Sequence, residues 1–130
     1  MEKANGRILL VDDEPALLKM MGAYLNRRGF QVATADTTET AWSLVASAPS
    51  DYSVVVLDAT MSGLSMEELA SRMLAASPSL SLIAASGYPV DMGALEALAP
   101  GRVMFLHKPF PPEMLAAAIR RMIATPEENL

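Results

Sequence analysis

Five side chains carry the chemistry this chain can offer: Asp12, Asp13, Asp58, Ser86 and Lys108. Carboxylates, a hydroxyl and an ammonium are the groups that hold a hard divalent cation and manage a phosphoryl group. An aspartate can itself be the nucleophile of such a transfer. Taken singly, each residue also has an ordinary explanation. Asp12 and Asp13 could cap a following helix, Asp58 and Ser86-Gly87 could be turns, and Lys108 could be a solvated charge beside Pro109. What sets them apart is that each stands at the end of an apolar run.

Those runs are Arg7 to Asp12, Ser53 to Asp58, Leu80 to Ala85 and Arg102 to Leu106, with a further one from Gln31 to Ala35. Continuous apolar stretches of this kind are the pattern of strands buried on both faces of a parallel sheet. Between them, apolar residues recur at helical spacing: Leu17, Met21, Tyr24 and Leu25; Ala41, Leu44 and Val45; Leu69, Met73 and Leu74; Leu115, Ile119, Met122 and Ile123. Pro15 stands where a first helical turn tolerates it, and Gly29 follows Arg28 as a stop. The weakest segment is Val90 to Ala99, where Gly93 interrupts the pattern at about 1 kcal/mol relative to alanine. A short, mobile helix is expected there. Strands alternating with helices imply an α/β fold of right-handed βαβ units around one parallel sheet.

In such a sheet, ligands bind outside the carboxyl ends of the strands. Asp12, Asp13, Asp58, Ser86 and Lys108 are therefore expected at one edge. Three carboxylates meeting there repel one another unless a cation sits among them. Oxygen ligands without His or Cys favour Mg²⁺, which keeps waters and accepts phosphate oxygens.

The bulk properties narrow the alternatives. A length of 130 residues suits one domain. With 52% hydrophobic and 19% charged residues the chain is globular, and no apolar run approaches the ~18 residues of a membrane span. The amino terminus lacks the apolar region of a signal peptide, so a cytoplasmic address is expected. The absence of cysteine removes disulfides, thiolate metal sites and thiol nucleophiles. A net charge of −5 argues against a direct nucleic-acid surface. Arg27-Arg28 and Arg120-Arg121 read as last-turn cations. Trp42 and the ten methionines read as helix packing. Residues 1–124 form the expected domain, and Thr125 to Leu130 is a polar stretch that reads as a frayed tail or a cloning remnant.

Four blocks in this order and spacing resemble the motifs of response-regulator receiver domains: Val11-Asp12-Asp13-Glu14-Pro15, Leu57-Asp58, Ala85-Ser86-Gly87-Tyr88 and Lys108-Pro109-Phe110. The resemblance runs from Arg7 to about Ile123. It implies a flavodoxin-like (βα)5 fold with a five-stranded parallel sheet of order 2-1-3-4-5 and helices on both faces. It also implies roles. Asp58 would be the phosphoacceptor, and Asp13 and Asp58 would bind Mg²⁺ directly. Asp12 would act mainly through water, and the Thr60 backbone carbonyl would complete the protein ligands. Lys108 would pair with the Asp58 carboxylate and later with a phosphoryl oxygen, and Ser86 would donate its hydroxyl to the phosphoryl group. Phe105 stands where the family carries an aromatic switch, although a strand phenylalanine is commonly just core. The Lys108-Pro109 bond is expected to be cis.

Two departures stand out. Met61-Ser62-Gly63-Leu64-Ser65-Met66 has serine where the family shows proline and methionine where it shows glycine, which leaves the loop geometry open. Thr60 and Tyr88 occupy variable positions flanking the phosphoryl site. His107 ends a strand instead of projecting from a helix, so a structural role fits it better than that of a phosphoryl donor.

The resemblance implies a two-component phosphorelay, with a sensor histidine kinase or a histidine phosphotransfer protein as donor. The chain would not be an enzyme beyond self-phosphorylation from phosphodonors and autodephosphorylation. The added charge would draw Ser86 toward the phosphoryl oxygens, let Phe105 fill the space behind it, and alter the surface of the fourth helix, fifth strand and fifth helix. The output would be a downstream effector protein or an output domain outside this chain, with a homodimer through that same surface as a further option. Three alternatives stay open. One is a receiver belonging to a hybrid sensor kinase. Another is a degenerate receiver used only for binding. The last is a phosphatase of the haloacid dehalogenase type, which needs a second aspartate at the place of Thr60.

Overall fold

The computed structural model describes residues 6–123. The elements run β1 (Arg7–Val11), α1 (Pro15–Arg27), β2 (Gln31–Ala35), α2 (Thr38–Ser47), β3 (Tyr52–Asp58), α3 (Met66–Ala76), β4 (Ser81–Ser86), α4 (Gly93–Leu98), β5 (Val103–His107) and α5 (Pro112–Ile123). The strands form one parallel sheet in the order β2-β1-β3-β4-β5. This is the expected flavodoxin-like α/β architecture. The expected tail from Thr125 onward lies outside the described residues.

Alternation along the central strands sends successive side chains to opposite faces. Leu9, Val11, Val55, Leu57, Leu82 and Ala84 meet α2, α3 and α4 through residues such as Ala41, Val45, Leu69, Met73 and Leu95. Ile8, Leu10, Val54, Val56 and Ile83 meet α1 and α5 through Leu18, Met21, Leu25, Leu115 and Ile119. Each fully buried leucine or isoleucine contributes roughly 1.5–3 kcal/mol of hydrophobic stabilisation. β3 and β4 are buried throughout, whereas the edge strands β2 and β5 are half-exposed. Trp42 packs at the rim of the first core, with the Arg72 guanidinium 5.9 Å from its ring centroid.

Helix ends follow the expected punctuation with one correction. Pro15 opens α1, Arg27 and the pair Arg120 and Arg121 lie in last turns, and Gly29 takes the left-handed φ of 96° after α1. The helix expected from Val90 to Ala99 spans only Gly93–Leu98. Gly93 starts it instead of interrupting it, because the Asp91 Oδ1 accepts the Gly93 N–H at 2.9 Å and commits the preceding residues to a turn. At the amino ends of β4 and β5, Arg102 donates to the main-chain oxygens of Leu80 (2.8 Å), Ser77 (2.7 Å) and Leu74 (3.3 Å). It closes the last turn of α3 onto the sheet.

Candidate functional site

The parallel ladder fixes the site residues before any side-chain contact is made. Each continues one step beyond its strand: Asp12 N–H to Ala35 O at 3.1 Å, Ala59 N–H to Ala85 O at 2.8 Å, and Lys108 N–H to Ser86 O at 2.8 Å. Paired in register as Val11 with Leu57, Asp58 with Ala85 and Ser86 with His107, β1, β3, β4 and β5 end near one level.

A common local device then sets three of the side chains. Asp12 Oδ1 accepts from Glu14 N–H at 3.0 Å, Asp58 Oδ1 from Thr60 N–H at 3.1 Å, and Ser86 Oγ from Tyr88 N–H at 3.0 Å. These are side-chain turns onto the amide two residues on. The turn reading of Asp58 and Ser86 and the functional one are therefore compatible. The Thr60 hydroxyl adds a second donor to Asp58 Oδ1 at 3.0 Å.

With Oδ1 committed on both aspartates, Oδ2 of each faces Lys108. The Lys108 Nζ lies 2.9 Å from Asp12 Oδ2 and 3.5 Å from Asp58 Oδ2. The shorter contact goes to Asp12, so the expected pairing with Asp58 is present as the longer arm of a shared ion pair. Burial lowers the Lys108 pKa, but the Asp12 hydrogen bond and the charges of Asp12 and Asp58 outweigh it and hold the pKa above its ordinary value. The ammonium is charged throughout the neutral range.

Asp12, Asp13 and Asp58 offer carboxylate oxygens that all lie within 4.8 Å of one another, Asp12 and Asp58 buried and Asp13 exposed. Three acids against one ammonium leave an excess of negative charge in a partly desolvated corner. An oxygen-only donor set of that size fits a hard cation such as Mg²⁺. Beneath the charges lies a cavity of about 30 Å³ walled by Leu10, Val56, Leu115 and neighbouring apolar residues. It has room for about one water.

Ser86 is buried to 1% exposure at the tip of β4, one residue past the partner of Asp58 in the ladder. Phe105 pairs in register with Ala84 and is partly buried against the α4-side core. Its ring meets that of His107 edge-on at 6.3 Å between centroids. His107 ends β5 and is exposed. The Lys108-Pro109 bond is cis, as the resemblance implied. Two contacts had no signal in the sequence: the donation from the Thr60 hydroxyl to Asp58, and a bond from Leu64 N–H to Thr38 Oγ1 at 3.1 Å that ties the loop after Asp58 to α2.

Comparison with known proteins agrees with this arrangement. A family profile described as the response regulator receiver domain matches residues 8–120. The DNA-binding transcriptional regulator NtrC of a Bradyrhizobium species is 28% identical over 96% of this chain and 26% of its own length. The transcriptional regulatory protein FixJ of Bradyrhizobium diazoefficiens is 32% identical over 95% of this chain and 59% of its own. The chain thus spans between about a quarter and three fifths of these two relatives. A response regulator receiver domain protein from Clostridium thermocellum superposes with a TM-score of 0.79 and 25% identity, covering 91% of this chain and 94% of that one.

Proposed function

The chain belongs to the response regulator receiver domain family, and from that premise we propose that Asp58 is its phosphoacceptor in a two-component phosphorelay. The observation that carries the proposal is the convergence of Asp12, Asp13 and Asp58 on one corner with Lys108 bridging two of them. The donor is a sensor histidine kinase or a histidine phosphotransfer protein.

An Asp58 carboxylate oxygen attacks the phosphorus of the donor phosphoimidazole. The P–N bond breaks as the P–O bond forms, and the imidazole nitrogen leaves with the electron pair. Hydrolysis reverses the state: water attacks phosphorus, the acyl-phosphate P–O bond breaks, and inorganic phosphate leaves the carboxylate as it was. The Thr60 amide and hydroxyl hold the carboxylate plane through Oδ1. Lys108, charged and already within 3.5 Å of Asp58 Oδ2, neutralises the incoming oxygens. Ser86 accepts from Tyr88 N–H and so keeps its own proton to donate to a phosphoryl oxygen. Asp13 and Asp58, with Asp12 through water and the Thr60 carbonyl, would hold Mg²⁺, which would supply the remaining charge neutralisation. The chemistry is limited to this self-phosphorylation and autodephosphorylation, without turnover of other substrates.

When Ser86 turns toward the phosphoryl group, Phe105 moves into the space behind it and reshapes the α4-β5-α5 surface. Phenylalanine has no hydroxyl, so this motion rests on packing. That surface meets a downstream effector, an output domain beyond this chain, or a second copy as a homodimer. The domain works in the cytoplasm, and no helix among the described residues is long and apolar enough to cross a membrane.

Intact-mass measurement after incubation with acetyl phosphate and Mg²⁺ tests the proposal. One added phosphoryl group per chain, lost in Asp58→Ala, supports it. No gain in the native chain, or an unchanged gain in the variant, defeats it.

A further inference from the structure

Thr38, the first residue of α2, is 2% exposed. It is a polar side chain buried where the transfer chemistry makes no use of it. Its Oγ1 accepts from Leu64 N–H at 3.1 Å, across 26 residues of sequence, and donates to the Glu39 carboxylate at 3.2 Å. Gly63, next to Leu64, has a φ of 98°, and a Cβ built there would overlap Thr38 Oγ1 and lie 3.1 Å from Glu39 Oε2. Glycine alone adopts that backbone without strain and lets it come so close. At its other end, the same loop is anchored by Ala59 N–H on Ala85 O and by Thr60 on Asp58 Oδ1. The stretch from 60 to 64 is strung between the phosphoacceptor and α2.

We propose that Thr38 is a positioning residue for the phosphoacceptor loop, holding residues 60–64 so that Thr60 stays on Asp58 and faces the cation. Its hydrogen bond restrains a loop that carries Ser62 instead of a φ-fixing proline. The inference rests on the receiver function proposed above. It requires the hydroxyl and not merely the bulk: Thr38→Val keeps the shape but leaves Leu64 N–H without its acceptor, whereas Thr38→Ser keeps the acceptor. A hydrogen bond of this kind corresponds to a roughly three- to tenfold change in an equilibrium constant.

The full chain and the variants Thr38→Val, Thr38→Ser and Thr38→Ala are compared by calorimetric Mg²⁺ titration, amide exchange and acetyl-phosphate labelling. Thr38→Val is expected to bind Mg²⁺ roughly three- to tenfold more weakly, to exchange faster at residues 60–64 with β3 unchanged, and to label more slowly at subsaturating Mg²⁺. Thr38→Ser restores all three readouts. Native-like Mg²⁺ affinity and loop exchange in Thr38→Val overturn the proposal, as does loss that Thr38→Ser fails to restore. If Thr38→Val does not fold, Thr38→Ala decides: weakened Mg²⁺ binding with a native sheet supports the role, and native binding overturns it. A native chain that binds Mg²⁺ but never labels defeats the phosphoacceptor function alone, and the titrations still judge Thr38. A native chain that does not bind Mg²⁺ defeats both.

Discussion

The tips of β1 and β3 and the stretch from β4 to β5 meet at one edge of the sheet, yet they are built to different standards. β3 is buried along its whole length, and Asp12 and Asp58 are each held by a turn and an ion pair. Beyond Ser86 the chain has exposed Tyr88, a six-residue α4 with exposed Leu98, and a half-buried β5. Under the proposed function, the groups that would meet a phosphorus atom sit on buried elements, while the region proposed to transmit the signal has fewer buried contacts to lose. The difference teaches that two regions can share an edge of the sheet while being buried to very different degrees, and it predicts that they differ in stability.

Truncating a leucine on each side should give the largest contrast. Leu57→Ala, in β3 at 1% exposure, is expected to lower unfolding free energy by about 2–5 kcal/mol, whereas Leu98→Ala, at 51% exposure, stays within about 0.5 kcal/mol. Denaturant unfolding measures both, and similar losses would break the comparison. Next, Lys108→Ala should slow acetyl-phosphate labelling of Asp58 roughly hundredfold while the fold persists. A labelling time course checks this. Amide exchange should then find α4 opening at least about tenfold more readily than β3 in the resting chain, a difference of about 1.4 kcal/mol.

The smallest effect concerns pH. The folded-state pKa of Lys108 is raised above its ordinary 10.5. Its contribution to stability is therefore fully present below that value and lost as pH rises through the folded-state value. Unfolding free energy followed through that window should fall more in the native chain than in Lys108→Ala.

Much of this was legible in the residues. Asp12, Asp13, Asp58, Ser86 and Lys108 end apolar runs, and a parallel sheet brings strand ends to one edge whatever the helices do, so the cluster followed from order alone. The α4 boundary did not, because apolar spacing continues backward from Leu95 while the Asp91 turn onto Gly93 decides where the helix begins. The sharing of Lys108 was also hidden, since which aspartate lies nearer depends on rotamers set by Glu14 and Thr60 amides. Thr38 was invisible for a simpler reason: its partner is 26 residues away, and no periodicity encodes a bond between a helix start and a loop.

Arg102 gives the opposite end of the molecule a different character. All three of its acceptors are peptide carbonyls, groups that do not gain or lose protons and are little affected by counterions. Acid or salt that disturbs an aspartate pair leaves this clasp untouched. A lysine there would keep the charge but lose the planar fork that serves several oxygens together. The Arg102 clasp is therefore a mount whose hydrogen bonds depend on no carboxylate's protonation, at the far end of the sheet from the acidic cluster.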